Sequence, residues 1–451
     1  MAGKIIEKRH KHGVDPSMPD DSLLKIFQKS YQNTDLTPLL EPEQLAKFWV
    51  EYGNASLEEL VQLVEDNASR DAKIIFSGHR GCGKSTLLAE FGRNLSDRYF
   101  VAFFSIAETI EMSDVNHINI LFAIAINLMS RAEQEQINIS ESIKNEFYKW
   151  FAKRTQVEVE TPKSAEFSVG FDLFKIITGK LRTEASIRNE LKREFERNIS
   201  DLVAKLNEIA AAIQGASKKE ILVIIDDLDK LDLAVVRSIF QEHIKALFLP
   251  GFSIVYTIPI SSLRDISLSA TLRTEADDQI VIMPVSKLLS KGERRKTNPG
   301  YQDNAIETLC KILHKRIPKE ILEPDVARQM TLHSGGVLRE LMRISNRCCR
   351  ICLREIRRSP GQTSFKVNSV VLEEAIKDLR LDFETTLGKT DYKILKETYE
   401  KFLPEDPKQQ AFLDLLHGLD VLEYRNNEVW YDLHPIVMDL LQRKGLINAS
   451  N

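Results

Sequence analysis

Hydrophobic positions along this chain change period several times, and each change marks a boundary. From Asp21 to Asp66 apolar residues recur at helical spacing in three runs, DSLLKIFQKSY, PEQLAKFWVEY and SLEELVQLVED, with Asp21 and Ser56 placed as N-caps. The period then collapses. Ile74, Ile75 and Phe76 are consecutive and apolar, as are most of YFVAFFSIA, ILVII and FSIVYTIPI further on. Short unbroken apolar runs of this kind predict strands buried on both faces, as in parallel sheets. Helical patterns lie between them, one from Thr86 to near Asn94 and a strongly apolar one from Asn116 to Met129. Alternating strands and helices predict an α/β fold with three layers, helices on both sides of a parallel sheet.

Residues 155–218 interrupt the alternation. The stretch TQVEVETPKSAEFSVGF reads as a loop or short hairpin. After it, SIRNELKREFERNISDLVAKLNEIAAAI reads as one long helix, with Leu191, Phe195, Ile199, Leu202, Leu206 and Ile209 on one core-facing stripe. Beyond Pro284, KLLSKGERRKTNPGYQ is a basic loop leading into a helical lid. The last segment gives two helices, TDYKILKETYEKFL and PKQQAFLDLLHGL, then two strand-like runs about Asn426 and Asn427, a hairpin candidate. The expected division is 1–70, tail and helical lead-in; 71–290, α/β core with a helical insertion at about 155–218; 291–385, all-α lid; and 386–451, a small winged-helix-like unit.

Chemistry concentrates where strands end. Gly78-His79-Arg80-Gly81-Cys82-Gly83-Lys84-Ser85 follows the first apolar run and precedes Thr86 and a helix start, which is the P-loop pattern in its proper context. Glycines let backbone N–H groups converge on phosphate oxygens, and the helix N-terminus adds partial positive charge. Lys84 is placed to reach the β- and γ-phosphates and Ser85 to ligate Mg²⁺. In ILVIIDDLDK a buried strand delivers Asp226 and Asp227 at its C-terminal end, where ligands of α/β sheets sit. Asp226 fits the Mg²⁺-holding carboxylate and Asp227 a group that polarises the attacking water, one methylene shorter than glutamate.

Composition narrows the class. With 43% hydrophobic and 28% charged residues and a net charge of −4, the chain is not a basic nucleic-acid binder as a whole. No apolar run approaches the roughly 20 residues of a membrane span, and the opening MAGKIIEKRHKHG lacks the apolar stretch of a signal peptide. Five cysteines, an odd number, suit a reducing cytoplasmic setting. Cys348, Cys349 and Cys352 lack a second ligand pair at zinc spacing and read as small core residues. Arg339, Arg343, Arg347, Arg350, Arg354 and Arg357 or Arg358 share one helix face. That stripe can contact nucleic-acid phosphates, stay solvated, or pair with acids elsewhere in this net-acidic chain.

Together GHRGCGKST, LVIIDDLDK, the strand FSIVYTIPI and HSGGVLRELMRI resemble AAA+/STAND-type P-loop NTPases, in the neighbourhood of the origin-recognition and helicase-loader ATPases and the KAP-like group. The resemblance covers about residues 71–350. It implies ATP and Mg²⁺ as cofactors, with Gly78 to Thr86 cradling the phosphates. It further implies a γ-phosphate sensor at Thr257, a lid arginine at Arg339 reaching back to the phosphates, and a trans-acting arginine finger at Arg273. A strand-end hydroxyl capping a turn fits Thr257 as well, and a solvated surface arginine fits Arg273. The implied activity is slow ATP hydrolysis by a molecular switch that couples nucleotide state to self-assembly or engagement of a protein partner, with defence and signalling systems among the settings. The alternative is an ATP-dependent DNA-binding or DNA-loading protein of the origin-recognition or transposition-regulator type, using the Arg339–Arg358 helix and the winged-helix-like unit. No membrane partner is implied.

Overall fold

The computed structural model describes residues 21–156, 169–359, 364–425 and 428–448. The expected tail at 1–20, most of the expected loop or hairpin at 155–171 and the Asn426-Asn427 turn lie outside the described residues. The core is a five-stranded sheet of β1 (Lys73–Gly78), β2 (Tyr99–Ser105), β3 (Glu220–Asp226), β4 (Ser253–Pro259) and β5 (Ile280–Met283). Its order is β2-β3-β4-β1-β5, and every neighbouring pair runs parallel. β5 lies outside the expected strands, because four residues make too short a run to stand out.

The unbroken apolar runs split by alternation, as the two-residue period of a strand requires. Ile74, Phe76, Leu222, Ile224 and Val255 pack on one face, beneath helices Asn54–Glu65 and Lys84–Leu95. Ile75, Val223, Ile225, Ile254 and Tyr256 pack on the other, against helices that include His117–Gln134 and Ile199–Ser217. Three layers result, and the C-terminal ends of β1, β3 and β4 open on one edge.

Local capping differs in two places from expectation. Asn116 caps its helix as a side-chain acceptor for Ile118 and Asn119 N–H groups. Ser56 is not a cap: the helix starts at Asn54 behind Gly53, and the Ser56 hydroxyl donates to the Ile282 carbonyl at 3.3 Å. The expected long helix of 186–213 is two helices, Ala185–Phe195 and Ile199–Ser217. The break falls at the exposed Glu196-Arg197-Asn198, where Asn198 takes φ −131°, and asparagine competes poorly for helix interiors. The stripe is nonetheless core: Leu191, Phe195, Leu202, Leu206 and Ile209 are all buried. The inserted helices also include Glu141–Thr155 and Val169–Thr183, and they pack through Phe122, Trp150, Phe151 and Phe174.

Four helices follow the sheet: Asp303–His314, Pro324–His333, Leu338–Arg358 and Ser369–Glu384. The arginine-rich helix buries Leu341, Ile344, Cys348, Cys349 and Cys352. Its opposite face lies along the acids of Ser369–Glu384. Arg343 pairs with Asp382 at 2.8 Å, Arg347 with Asp382 and Asp378 at 3.4 and 3.5 Å, and Arg354 with Glu374. Arg358 pairs with Glu355 at 3.1 Å, while Arg350 and Arg357 are exposed.

At the C-terminal end, helices Lys389–Lys401 and Gln410–Gly418 precede an antiparallel hairpin of β6 (Val421–Arg425) and β7 (Val429–Leu433). The strands are shorter than their apolar runs. HPIV instead opens a further helix, Pro435–Arg443, with His434 as N-cap and Pro435 in the first turn. Leu422, Tyr424 and Trp430 of the hairpin share a buried cluster with Val285 and Val337, so this segment packs directly on the elements around the sheet edge. Among the described residues no helix is long and apolar enough to cross a membrane.

Candidate nucleotide-binding site

A cavity of about 480 Å³ lies over the C-terminal edge of the sheet, within the size range of small-molecule sites. Arg80, Gly81, Gly83, Lys84, Ser85, Thr86, Asp227, Asp229 and Arg339 line it. The loop reaches this shape because Gly81 and Gly83 adopt φ of 76° and 106°, where other residues are strained. The start of the arginine-rich helix presses on the same backbone. A Cβ on Gly81 would lie 2.3 Å from the Arg339 Cβ, and one on Gly83 2.9 Å from Leu338 Cδ1. The Arg339 N–H donates to the Gly81 carbonyl at 2.9 Å.

Lys84 is buried. Its ammonium donates to the carbonyls of Gly78 and His79 at 3.0 and 2.8 Å and pairs with Asp229 at 2.7 Å. Burial alone would lower its pKa, but the charge of Asp229 and the hydrogen bond to it raise it. Asp229 was not singled out from the sequence. Its signal was the third aspartate in DDLDK, which the short turn Leu228–Lys230 brings back beneath the loop.

Asp226 is buried and its Oδ1 has no hydrogen-bond partner. Burial first, then the charges of Asp227 and Asp229, push it up to about 6. Ligand atoms of these three carboxylates lie within 4.8 Å of one another. An orphaned buried oxygen among mutually repelling acids fits a divalent cation, with Ser85 alongside. Asp227 sits at φ 70°; its carboxylate accepts from the Ser105 hydroxyl at 2.6 Å and pairs with Lys230 at 2.5 Å.

Other expected positions fall differently. Thr257 is fully buried and does not line the cavity: its hydroxyl donates to the Ile225 carbonyl and accepts from the Leu228 N–H, both at 3.1 Å. It pins the turn that carries the aspartates, so no free hydroxyl is aimed at phosphates. Arg273 lies on the exposed side of helix Ile266–Glu275, paired with Asp278 at 2.9 Å and away from the cavity. Cys82 is buried, and burial raises its thiol pKa. The Thr86 hydroxyl accepts from the Leu39 N–H at 3.0 Å, tying the segment before helix Asn54–Glu65 across the loop helix.

His79 points away from the cavity. It is buried, and its Nε2 accepts from the Glu423 N–H of β6 at 2.8 Å. The Glu423 carboxylate takes both Arg264 Nε and Nη2 at 2.5 Å and Arg425 Nε at 2.7 Å. Arg264 follows β4. Two strand ends of the sheet therefore meet the C-terminal hairpin at one buried residue, β1 through the Glu423 N–H and β4 through its carboxylate.

Residues 54–258, which carry both phosphate-site motifs, match the family model described as "KAP family P-loop domain". Over this segment the chain is similar to the P-loop NTPase domain of the KAP family. The KAP-type domain is thus a nucleotide-site scaffold on the observed α/β sheet. No curated protein matches the chain. Among solved structures, the Aeropyrum pernix ORC1 protein in complex with DNA is 13% identical, covers 90% of this chain and 96% of its own, and gives a TM-score of 0.36. The Thermotoga maritima RuvB Holliday junction branch migration motor is 14% identical over 90% of this chain and 99% of its own, with a TM-score of 0.37.

Proposed function

We propose that this chain is an ATP-binding molecular switch that hydrolyses ATP slowly and couples nucleotide state, through its C-terminal unit, to self-assembly or engagement of a protein partner. The observation that carries this is the contact between His79, inside the phosphate loop, and the Glu423 N–H of the hairpin. A loop that reshapes around phosphates cannot do so independently of β6, because the two share a buried hydrogen bond and the Glu423–Arg264 pair beside it.

Gly78 to Thr86 would cradle the phosphates, and Lys84 would exchange Asp229 for the β- and γ-phosphates. Ser85 and Asp226 would hold Mg²⁺, which would supply charge neutralisation for phosphoryl transfer. Asp227 lines the cavity and would polarise water, and the engagement of its carboxylate by Ser105 and Lys230 fits slow turnover. Arg339 would add positive charge in cis and Arg273 in trans from a neighbouring copy. Thr257 would act through the turn it pins. The division at about 71–290, 291–385 and 386–451, a winged-helix role for the last unit and a cytoplasmic location belong to the same reading. The DNA-loading alternative is less well supported: four arginines of the Leu338–Arg358 helix are paired with carboxylates, and phosphates would have to displace them.

Light scattering of the wild type, Lys84→Ala and Asp227→Asn, each without nucleotide, with ADP and with ATP·Mg²⁺, tests the proposal. The expected result is ATP-dependent growth to a defined oligomer, trapped by Asp227→Asn and absent in Lys84→Ala. A monomer in every state removes self-assembly and the trans role of Arg273. Unchanged ATP affinity in Lys84→Ala removes the site.

A further inference from the structure

The cavity has two chemically distinct linings. One is the loop, the aspartates and Arg339, which suit phosphates and a cation. The other comes from outside the phosphate loop and the aspartate strand: Phe48 and Trp49 at the end of helix Pro42–Phe48, Ile312 and Arg316 at the end of helix Asp303–His314, and Leu338 and Met342 of the lid helix. Of these six, all but Arg316 are apolar or aromatic, and Asp35, Glu43, Gln44 and Lys47 add a polar rim from the helical lead-in.

Arg316 is only 9% exposed, yet among the described residues no carboxylate lies within ion-pair distance of it. Its guanidinium sits over the Phe48 ring, 5.0 Å from the centroid, and Nη1 donates to the Ile312 carbonyl at 3.1 Å. No protein acceptor is recorded among the described residues for its other N–H groups, and the side chain faces the cavity. The other buried arginine, Arg188, is tied to Asp114 at 2.6 Å, as is Arg264 to Glu423 at 2.5 Å. Burial lowers Arg316 to about 10, so it stays charged at neutral pH. A buried, charged guanidinium without a counterion costs stability, and a planar one backed by an aromatic ring is built to stack on and donate to a flat ring with acceptor nitrogens.

We propose that Arg316 is the base-recognising residue of this site, taking the purine of the bound nucleotide on the face and edge of the guanidinium that Phe48 leaves open. The phosphate loop fixes one end of the ligand, and the second lining is what remains for the base. This rests on the nucleotide-site reading above and names the part of the ligand that the motifs do not reach. Phe48 holds the guanidinium plane; Asn33 holds its backbone by donating from Nδ2 to the Arg316 carbonyl at 3.2 Å.

The test is calorimetry of ATP, CTP and inorganic tripolyphosphate, each with Mg²⁺, on the full chain, comparing wild type, Arg316→Met and Arg316→Lys. Wild type should bind ATP more tightly than tripolyphosphate. Both variants should lose about tenfold or more in ATP affinity, as expected for one charge-assisted contact plus stacking, with tripolyphosphate affinity unchanged and CTP affected less than ATP. Melting of ligand-free Arg316→Met should be no lower than wild type, since an uncompensated buried charge is removed. Parallel loss of ATP and tripolyphosphate, equal loss of ATP and CTP, or full ATP affinity in Arg316→Lys would each overturn base recognition. Wild type that binds neither ATP nor tripolyphosphate would instead remove the underlying site, and the proposal with it.

Discussion

The helix Leu338–Arg358 carries arginines from end to end, and the molecule treats its two ends differently. At its start, Arg339 lies against Gly81, lines the cavity and has no carboxylate partner among the described residues. Further along, Arg343, Arg347 and Arg354 are matched to Asp382, Asp378 and Glu374 of a neighbouring helix. Residue type and helix are the same; only the partners differ. Paired charges close an interface within the fold, whereas unpaired ones at the cavity, Arg339 and Arg316, hold charge in reserve for a ligand. The acids follow the same rule. Glu423 is fully satisfied by two arginines, while Asp226 keeps an orphaned oxygen among like charges.

The comparison can be broken first at Glu423. Its side chain is 1% exposed, and Glu423→Ala would strand Arg264 and remove the ion pair that ties β6 to the end of β4, while keeping the backbone N–H that His79 accepts. Removing one partner of a buried pair should cost about 3–5 kcal/mol, read as a lowered denaturation midpoint. A loss below about 1 kcal/mol would place Glu423 with the weak surface pairs.

His434 gives the next largest effect. Burial, then the charges of Arg294, Arg343 and His333, lower it to about 3. Above its unfolded pKa of about 6.5 it is neutral in both states. Below that the unfolded chain takes up a proton that the folded chain refuses, so stability falls as pH falls towards 3. By pH 5 the loss is about 2 kcal/mol. Urea denaturation of wild type and His434→Asn, which keeps a capping acceptor, should show their stability difference shifting by that amount between pH 7 and pH 5, against the wild type at the acid end. A constant difference would mean that His434 protonates as readily in the fold as outside it.

The smallest effect lies on the arginine-rich helix. A double-mutant cycle on Arg347 and Asp382, both partly exposed, should give a coupling below about 1 kcal/mol that shrinks with salt. Arg339→Met should leave ligand-free stability within about 0.5 kcal/mol of wild type while weakening ATP·Mg²⁺ binding. Destabilisation by Arg339→Met matching that of Arg347→Ala would erase the distinction between the helix's two ends.

Much of the core was legible because its signals are local. The four long apolar runs became β1 to β4, and Gly81, Gly83, Lys84 and Asp227 line one cavity, with Asp226 buried beside Asp227. Where local rules compete, reading failed: the helix at 186–213 broke at Asn198, Ser56 was passed over as a cap for Gly53, and β5 was too short to notice. The hydroxyl of Thr257 also reads the same whether it meets a phosphate or the carbonyl of Ile225.

By itself the sequence determined a parallel α/β core, a phosphate loop and a carboxylate-bearing strand, since each depends on residues adjacent along the chain. Tertiary structure alone decided which charges are spent and which are kept. Asp229 against Lys84, Glu423 between His79 and Arg264, and Arg316 over Phe48 are contacts between residues 145, 344 and 268 positions apart at their widest. Charge pairing acts through space over a few ångströms, so no spacing along the chain records it.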